Sequence, residues 1–244
     1  MANWVLIPAR SGSKGVVDKN IKKLNGKPVL QYTILSARQI CPVTNIFLST
    51  DSKKYAEIAK KSGIQIHMRH SFAAGDNATD DDVILDFIYS NNISEEDVII
   101  YLRPTTPLRD SDALKQAMHI LPTLFEDKKF NSVRSGHIEA ETAYKSAKKA
   151  AGAWESLMAD TDASVLNLPR QHYPETYSLN GFFDATKVSA VLKSKEAFPG
   201  EMMAYTTGPI LEIDSEFDFD ILEAYIMYKN GDSNGKARKT KNKK

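Results

Sequence analysis

Cysteine is almost absent from this chain, which has one, Cys41, among 244 residues. A single cysteine excludes a disulfide framework and any zinc site built on several cysteines. Long hydrophobic runs are also missing: the longest, such as residues 98–102, have the length of a strand and fall far short of the roughly 20 residues that span a bilayer. The first residues, Met1 to Trp4, contain neither the basic nor the apolar part of a secretion signal. These absences predict a soluble, cytoplasmic protein without membrane contact.

An overall charge of either sign is lacking too, because 32 Lys and Arg oppose 31 Asp and Glu. The distribution is nevertheless uneven, since residues 229–244 contain seven Lys or Arg and one acid. We interpret this segment as a disordered basic tail, for which a solvated terminus is a more common role than nucleic-acid binding. The whole chain is 42% hydrophobic, and residues 1–228 are predicted to form one domain.

Strand-like and helix-like patterns alternate through the first half of the chain. Short apolar runs predict strands, and apolar residues at helical spacing predict the helices between them. The alternation predicts an α/β fold with a doubly wound, mostly parallel sheet. Ligands in such sheets bind beyond the carboxyl ends of the strands, which here selects four loops, those after Ile7, Thr50, Ile66 and Leu102. The predicted strands are 4–7, 45–50, 64–66 and 98–102, and the predicted helices are 29–40, 53–62, 80–89 and 111–121.

The second half lacks this alternation. Residues 137–180 are polar and poorly periodic, a length that is unusual for a loop inside a compact domain. We expect them to project from the core as an excursion that meets a second copy of the chain. A final strand at 209–214 and a helix at 216–228 are predicted to close the domain.

The loop after the first predicted strand, residues 8–20, is rich in glycine and cations. Gly12 and Gly15 allow close approach of a ligand to the backbone, and three cations lie within ten residues: Arg10, Lys14 and Lys19. Such a loop can present N–H groups and positive charge to a polyphosphate. It matches neither Gly-x-Gly-x-x-Gly nor the P-loop pattern, so an exposed Gly/Lys connection remains the alternative.

Two groups of acids are candidate metal ligands. Asp80-Asp81-Asp82 is dense, but acids at a helix N-terminus explain it equally well. Glu212 and Asp214 are two residues apart, so on a strand both carboxylates would point the same way. Asp214 has the alternative role of capping the helix that follows. We favour Glu212 and Asp214 as ligands of Mg²⁺, a cation that prefers oxygen ligands.

Several motifs, in order, resemble one enzyme family. They are Ile7-Pro8-Ala9-Arg10-Ser11-Gly12-Ser13-Lys14-Gly15, Lys19-Asn20-Ile21, Leu24-Asn25-Gly26-Lys27-Pro28, Ser49-Thr50-Asp51, Arg103-Pro104-Thr105-Thr106-Pro107-Leu108-Arg109 and Pro169-Arg170-Gln171. The set resembles the acylneuraminate cytidylyltransferases over residues 3–228. These enzymes transfer CMP from CTP to the anomeric hydroxyl of a nine-carbon 2-keto sugar acid and release pyrophosphate.

The resemblance implies roles on the nucleotide side. Catalytic roles fall to Arg10 and Lys19, which would hold the triphosphate, and Arg69 would donate to the cytosine carbonyl. The remaining residues implied to contact the nucleotide are Ser13, Lys14, Asn20, Ala78 and Asp80. Magnesium is implied as the cofactor, at Glu212 and Asp214.

On the acceptor side, the resemblance implies Lys145, Arg170 and Asn180, with Arg103 close by. It also implies a homodimer in which the excursion completes a neighbour's pocket. Arg103 stands where sialic-acid enzymes commonly have glutamine, and Ser178 stands where some have a second arginine. Both departures are on the sugar side, which favours legionaminic or pseudaminic acid as the acceptor.

Three alternatives stay open at this point. One is a cytidylyltransferase for 3-deoxy-octulosonate, although enzymes of that kind lack the Arg-Pro-Thr-Thr-Pro type of segment that this chain contains. A second is a GT-A-like glycosyltransferase with Asp80-Asp81-Asp82 as its metal motif. The third is a non-catalytic module that binds nucleotides or nucleic acid through the cationic loop and the basic tail.

Overall fold

The computed structural model describes residues 1–13, 15–126, 129–158 and 161–230. Within these residues the strands are β1 (Asn3–Pro8), β2 (Lys23–Leu24), β3 (Lys27–Pro28), β4 (Ile46–Thr50), β5 (Gln65–Met68), β6 (Val98–Tyr101), β7 (Phe130–Ile138), β8 (Ala147–Ala150), β9 (Ala153–Ser156), β10 (Tyr177–Lys187) and β11 (Glu201–Thr206). The α-helices are α1 (Val29–Ala37), α2 (Lys53–Lys61), α3 (Asp80–Asn91), α4 (Ser111–Glu126), α5 (Val188–Ser194) and α6 (Glu216–Lys229).

Seven of the strands form one sheet in the order β11-β7-β10-β6-β1-β4-β5. Only β10 runs antiparallel to its neighbours β6 and β7, and the other four pairs are parallel. The crossover order places β6 at the centre, and β1 lies between β6 and β4. The prediction of a mostly parallel sheet is therefore confirmed.

Helices cover both faces of the sheet because the central strands are apolar on both sides. Val5 and Ile7 of β1 belong to a core cluster with α1, α2 and α4, whereas Leu6 belongs to a second cluster with α3 and α5. All three β1 side chains are fully buried. This division confirms the doubly wound arrangement. Helix α6 joins a third cluster over β2, the start of α1 and the loop after β1.

The helix starts follow their sequence signals. The Ser52 side chain accepts a hydrogen bond from the Tyr55 backbone N–H and caps α2. Thr79 and Asp82 form a reciprocal capping box at the start of α3. These caps fix the directions in which both helices leave the carboxyl edge of the sheet.

Two predicted elements require correction. Helix α4 continues through Pro122 to Glu126, beyond the predicted end at residue 121, because Leu121 and Phe125 are buried against the core. The predicted strand at 209–214 is wrong, since this segment belongs to no sheet. Its Ile213 backbone N–H donates to the Thr105 carbonyl, so the segment is fastened to the loop after β6 without joining a strand ladder.

The predicted excursion corresponds to residues 139–176, between the end of β7 and the start of β10. It contains the antiparallel hairpin β8–β9, which forms a sheet of its own. Contact with a second copy stays a prediction. Most of the predicted basic tail, residues 231–244, lies outside the described residues. Within the described part of the chain, no helix combines the length and the apolar character needed to cross a membrane.

Candidate active site

A cavity of about 300 Å³ lies at the carboxyl ends of β1, β5 and β6. This is the edge of the sheet at which the sequence predicts ligand binding, and three of the four predicted loops contribute to it. The lining residues are Pro8, Arg10, Ser13, Gly15, Lys19, Asn20, Arg69, Ala78, Thr79, Asp80, Val83, Tyr101, Arg103, Pro104 and Thr105. The structure therefore brings together the described residues predicted for the nucleotide. Lys14 lies outside the described residues.

The fourth loop, after β4, supports the cavity from behind. The Asp51 carboxylate accepts hydrogen bonds from the Ser11 backbone N–H (2.7 Å) and hydroxyl (2.6 Å). Burial alone would raise the pKa of Asp51, but these bonds outweigh it and lower the pKa. Asn20 is buried, and its side-chain amide donates to the Arg10 carbonyl (3.1 Å). Asn20 thus shapes the loop in addition to lining the cavity.

Gly15 allows the loop to approach the segment before α6. A Cβ atom at Gly15 would lie 2.5 Å from the backbone oxygen of Asp214, a distance that no side chain tolerates. Glycine is therefore required where the loop after β1 crosses Asp214. This contact holds the loop after β1 against the segment before α6.

Lys19 is oriented by the same segment. Its Nζ donates to the Ile213 carbonyl (2.7 Å) and lies 3.5 Å from the Asp214 carboxylate. The Lys19 side chain is 15% exposed, whereas that of Asp214 is 85% exposed. Lys19 is thus an ordered cation in the cavity wall whose charge is only partly neutralised.

Arg10 forms an ion pair across the cavity mouth. Its Nη1 lies 2.5 Å from the carboxylate of Asp76, in the loop before α3. Both side chains are partly exposed, at 31% and 53%. An exposed pair of this kind contributes about 1 kcal/mol or less, so an anionic ligand can displace Asp76.

Arg69 lines the cavity from the loop after β5. Its Nε donates to the Ser49 hydroxyl (2.8 Å), and its two terminal nitrogens donate to the Ala73 and Ser49 carbonyls (3.2 Å each). A guanidinium has five N–H groups, so two remain for a ligand. Burial lowers the pKa of Arg69, although nearby acids oppose this effect. The side chain stays a cation because the ordinary pKa of arginine is so high.

Two arginines and two aspartates form a network on the wall contributed by β6 and β10. The Asp80 carboxylate accepts from Arg103 Nη2 (2.7 Å) and from the Tyr101 hydroxyl (2.8 Å). Asp184, which is fully buried, lies 3.3 Å from Arg103 and 3.4 Å from Arg134. Burial acts to raise the pKa of Asp80, but Arg103 and Tyr101 outweigh it, and the net shift is downward. Arg103 is thus held by protein carboxylates in this wall.

The three acids at the start of α3 do not form a metal site. Asp80 is engaged by Arg103, Asp81 accepts from the Ala197 backbone N–H (2.6 Å), and Asp82 caps the helix. These contacts favour the other explanation of the motif, acids at a helix N-terminus, over a GT-A-like metal motif. Helix capping and packing account for all three side chains.

Glu212 and Asp214 lie in the segment after β11, which is not a strand, so the spacing argument for both carboxylates pointing the same way does not apply. Glu212 Oε1 accepts from the Thr106 hydroxyl (2.8 Å) and the Gly181 backbone N–H (2.9 Å). A Cβ at Gly181 would lie 2.7 Å from that oxygen, so only glycine admits this contact. Glu212 Oε2 has no hydrogen-bond partner among the described residues.

Arg109 fastens the loop after β6 to β10. It is buried, and all five of its N–H groups are used, one by the Thr33 hydroxyl and four by backbone carbonyls. The carbonyls belong to Arg103, Thr106, Gly181 and Phe182. Burial without a contacting carboxylate lowers the pKa of Arg109 to about 9. This side chain therefore fixes the positions of both Arg103 and Gly181 beside the cavity.

The residues predicted for the acceptor are dispersed. Arg103 lines the cavity, but Arg170 lines a separate hollow in the excursion, where it donates to the Glu139 carbonyl (3.0 Å). Lys145 lies in a 3-10 turn of the excursion. Asn180 is buried, and its amide bonds Ser135, Phe182, His137 and Thr207. Its side chain holds an irregularity in β10 and has no group left for a ligand in this arrangement.

Sequence reasoning missed several residues of the site. Thr79, Tyr101 and Thr105 line the cavity, Asp51 supports it, and Asp76 closes on Arg10. Asp51 directly follows a predicted strand and belongs to the Ser49-Thr50-Asp51 motif, so the sequence could have indicated it. Asp76 had none, because its loop has no periodic pattern.

Comparison with known proteins agrees with this geometry. The sequence model of the Cytidylyltransferase family matches residues 4–193. The chain belongs to the cytidylyltransferase family. It is 32% identical over 228 residues to an N-acylneuraminate cytidylyltransferase of Streptococcus agalactiae serotype V, an alignment that covers 91% of this chain and 53% of the relative. The chain thus spans about half the length of this relative and of its counterparts in other serotypes.

A relative of similar length has a different name. The "Post-translational flagellin modification protein B" of Campylobacter coli is 28% identical over 239 residues, covering 92% of this chain and 94% of that protein. Among solved structures, a CMP:2-keto-3-deoxy-manno-octonic acid synthetase complexed with CTP superposes with a TM-score of 0.69 at 16% identity, covering 94% of this chain and all of that one. A 4-diphosphocytidyl-2C-methyl-D-erythritol synthase gives 0.64 at 11% identity, with coverage of 92% and 97%. These two likenesses establish the fold.

Proposed function

We propose that this protein transfers CMP from CTP to the anomeric hydroxyl of a nine-carbon 2-keto sugar acid and releases pyrophosphate. The observation that carries the proposal is the cavity that is lined both by Arg10 and Lys19, from the loop after β1, and by Arg69, from the loop after β5. Two cations suit a triphosphate, and a fixed guanidinium with two free N–H groups suits a carbonyl of a base. The family membership of residues 4–193 supports the same activity.

The nucleotide is proposed to enter with its base toward α3. Arg69 would donate to the cytosine carbonyl, and backbone groups of Ala78 and Asp80 would meet the exocyclic amine. Ser13 and the N–H groups of the loop after β1 would lie along the phosphates. The Asp80 carboxylate is held by Arg103 and Tyr101, so it fixes the backbone at the start of α3.

The reaction needs positioning and charge neutralisation more than covalent help from the protein. The anomeric oxygen forms a bond to the α-phosphorus while the bond from that phosphorus to the bridging oxygen of pyrophosphate breaks. The hydroxyl proton leaves to solvent or to a carboxylate of the segment before α6. Arg10 and Lys19 hold the negative charge that grows on the leaving pyrophosphate.

Magnesium is the cofactor that this donor set fits. No three His, Cys, Asp or Glu of the described residues gather as a metal cluster, but Mg²⁺ bound with a nucleotide uses one or two carboxylates together with phosphate oxygens. Asp214 offers an exposed carboxylate beside Lys19, and Glu212 offers Oε2. When bound there, the ion would supply charge neutralisation on the phosphate oxygens.

The acceptor is proposed to bind between the cavity and the excursion of a second copy. Arg103 is neutralised by Asp80 and Asp184, so a cation for the sugar carboxylate must come from elsewhere. Arg170 and Lys145, which lie away from the cavity in their own chain, are our candidates, and their use implies a homodimer. The departures at Arg103 and Ser178 favour legionaminic or pseudaminic acid over N-acetylneuraminate.

Pyrophosphate release from CTP and Mg²⁺ tests the proposal. The acceptors are N-acetylneuraminate, legionaminate, pseudaminate and 3-deoxy-octulosonate, each at the same concentration. We expect release with legionaminate or pseudaminate to exceed release with the other two. Highest release with N-acetylneuraminate would refute the acceptor assignment, and silence with all four together with no binding of CTP would refute the activity itself.

Replacing Asp76 by asparagine is expected to tighten CTP binding about threefold. The change removes the charge that competes for Arg10 while keeping the side-chain shape, and an exposed ion pair is worth less than about 1 kcal/mol. Isothermal titration of CTP onto the variant and the wild type measures the shift. Asp112→Asn, an exposed acid on α4 away from the cavity, is the matched control, and equal affinity of all three proteins would contradict the prediction.

A further inference from the structure

A buried polar chain runs from α3 through the sheet to Arg69. Asp86 on α3, His67 on β5 and Ser49 on β4 are all buried, with exposures of 2%, 3% and 0%. Ser49 and His67 are register partners on neighbouring parallel strands. The successive distances are 3.4 Å from Asp86 Oδ2 to His67 Nε2, 3.2 Å from His67 Nδ1 to Ser49 Oγ and 2.8 Å from Ser49 Oγ to Arg69 Nε.

Hydrogen-bond accounting gives this chain a direction. Arg69 Nε can only donate, so Ser49 Oγ accepts there, and among the described residues the one acceptor within reach of the Ser49 hydrogen is His67 Nδ1. Nδ1 is then the acceptor, and the neutral ring carries its proton on Nε2, facing Asp86. Burial lowers the pKa of His67 against the opposing influence of Asp86, while Arg69 and His70 act in the same direction as burial. His67 is therefore neutral at pH 7, as the accounting requires.

This arrangement carries a free-energy cost, because it leaves a buried polar atom without a hydrogen bond. His67 Nε2 is buried and has no well-formed hydrogen bond in the part of the chain that the structure describes. A leucine would fill this space beside Phe87, whose ring lies 5.6 Å from the imidazole, without that cost. A costly buried group that ends on a cavity-lining arginine points to a role at the cavity.

We propose that His67, acting through Ser49, is a positioning residue that sets the orientation of Arg69 and thereby the affinity for the pyrimidine base. Without an acceptor at Nδ1, the Ser49 hydroxyl turns away, and Arg69 keeps only its two bonds to backbone carbonyls. The guanidinium then rotates, and its two free N–H groups no longer face the cavity. The proposal rests on the proposed function, in which Arg69 contacts the base.

Two ligands separate this role from a general structural one. CTP engages both the base side and the phosphate side, whereas inorganic tripolyphosphate engages only the side with Arg10 and Lys19. We expect His67→Leu to weaken CTP binding about tenfold, the effect of one lost bond to a charged group, and to leave tripolyphosphate binding unchanged. Isothermal titration at pH 7.5 measures both dissociation constants.

A conservative replacement of His67 should keep the affinity for CTP. The Oδ1 of asparagine occupies the place of histidine Nδ1, so His67→Asn should retain CTP affinity within about twofold. His119→Leu, on the exposed side of α4, is the control for loss of an imidazole. Should His67→Leu fail to fold, Ser49→Ala removes the same link and predicts the same loss confined to CTP.

The outcomes keep the two proposals apart. If the wild type binds CTP and His67→Leu binds it equally, the positioning role is refuted and the proposed function stands. Equal losses for CTP and tripolyphosphate, or failure of His67→Asn to retain affinity, also refute the positioning role. If the wild type binds tripolyphosphate but not CTP, the proposed function fails, and the inference fails with it.

Discussion

Replacing Lys19 by methionine is expected to lower CTP-dependent pyrophosphate release about 100-fold or more. Methionine keeps most of the side-chain volume but removes a cation that the Ile213 carbonyl holds in the cavity wall. Preorganised charge of this kind acts most strongly on the transition state, where removal of a single donor costs two to three orders of magnitude. Steady-state kinetics with varied CTP should show the loss mainly in kcat.

Two variants serve as controls for Lys19. Lys22 lies at the end of the same turn but pairs with Glu216 outside the cavity, so Lys22→Met should keep wild-type turnover. Arg170→Ala should raise the KM of the sugar acid and leave the KM of CTP unchanged. Equal loss in Lys19→Met and Lys22→Met would show that positive charge on this surface matters only in a general way.

Replacing Arg109 by methionine is expected to destabilise the protein by about 4 kcal/mol or more. Four backbone carbonyls and the Thr33 hydroxyl lose a donor in a buried place, although the Arg103 carbonyl keeps the Thr106 N–H, and each acceptor left unpaired costs about 1–3 kcal/mol. We expect Arg109→Lys to lower the free energy of unfolding nearly as much, because an ammonium cannot reproduce the planar arrangement of five donors. Urea unfolding followed by circular dichroism gives the free energies.

Arg38→Met is the matched control for Arg109, since Arg38 bonds one carbonyl, that of Ser62, at an exposed position. We expect its free energy of unfolding to change by less than about 1 kcal/mol. A small effect of Arg109→Met would mean that water replaces the guanidinium, and the loop after β6 would then not depend on this residue.

The parallel half of the fold was predictable because its signals are local and mutually consistent. Strand β6 is apolar at every position, and α2 begins at a serine cap and is followed by Gly63, whose φ is +69°. Such segments require little information from distant parts of the chain. The loops at their carboxyl ends therefore led directly to the cavity.

Strands β7 and β10 were not predicted because their buried positions are often polar. Ser132, Ser135 and Thr186 are fully buried, and Asn180 and Asp184 nearly so, which masks the alternation that marks a strand. The side-chain partners that they have lie far along the chain, such as Arg134 for Asp184, and the hydroxyls of Ser132 and Thr186 have no partner among the described residues. No window of neighbouring residues contains that information.

The residues of the candidate site also divide into those that the sequence indicated and those whose partners only the folded chain reveals. Arg10 and Lys19 belong to the cation-rich loop after a predicted strand, and the family resemblance added Arg69, so all three were indicated before the structure was known. The pairing of Arg103 with Asp80 and Asp184 joins three separate elements and could only be seen in the folded chain. The predicted strand for Glu212 and Asp214 failed because Ile213 bonds a loop in place of a sheet edge.

The ends of the excursion meet side by side, since Ile138 and Tyr177 are register partners on adjacent antiparallel strands. Neighbouring strands lie about 5 Å apart, so residues 139–176 occupy the position of an enlarged hairpin loop. Any segment whose termini close that gap can replace this one without disturbing the register of β7 or β10. Because β6 and β7 both run antiparallel to β10, the insert leaves the sheet at the same edge as the cavity, so exchanging it would change the surface at that edge while leaving the loops after β1, β5 and β6 in place.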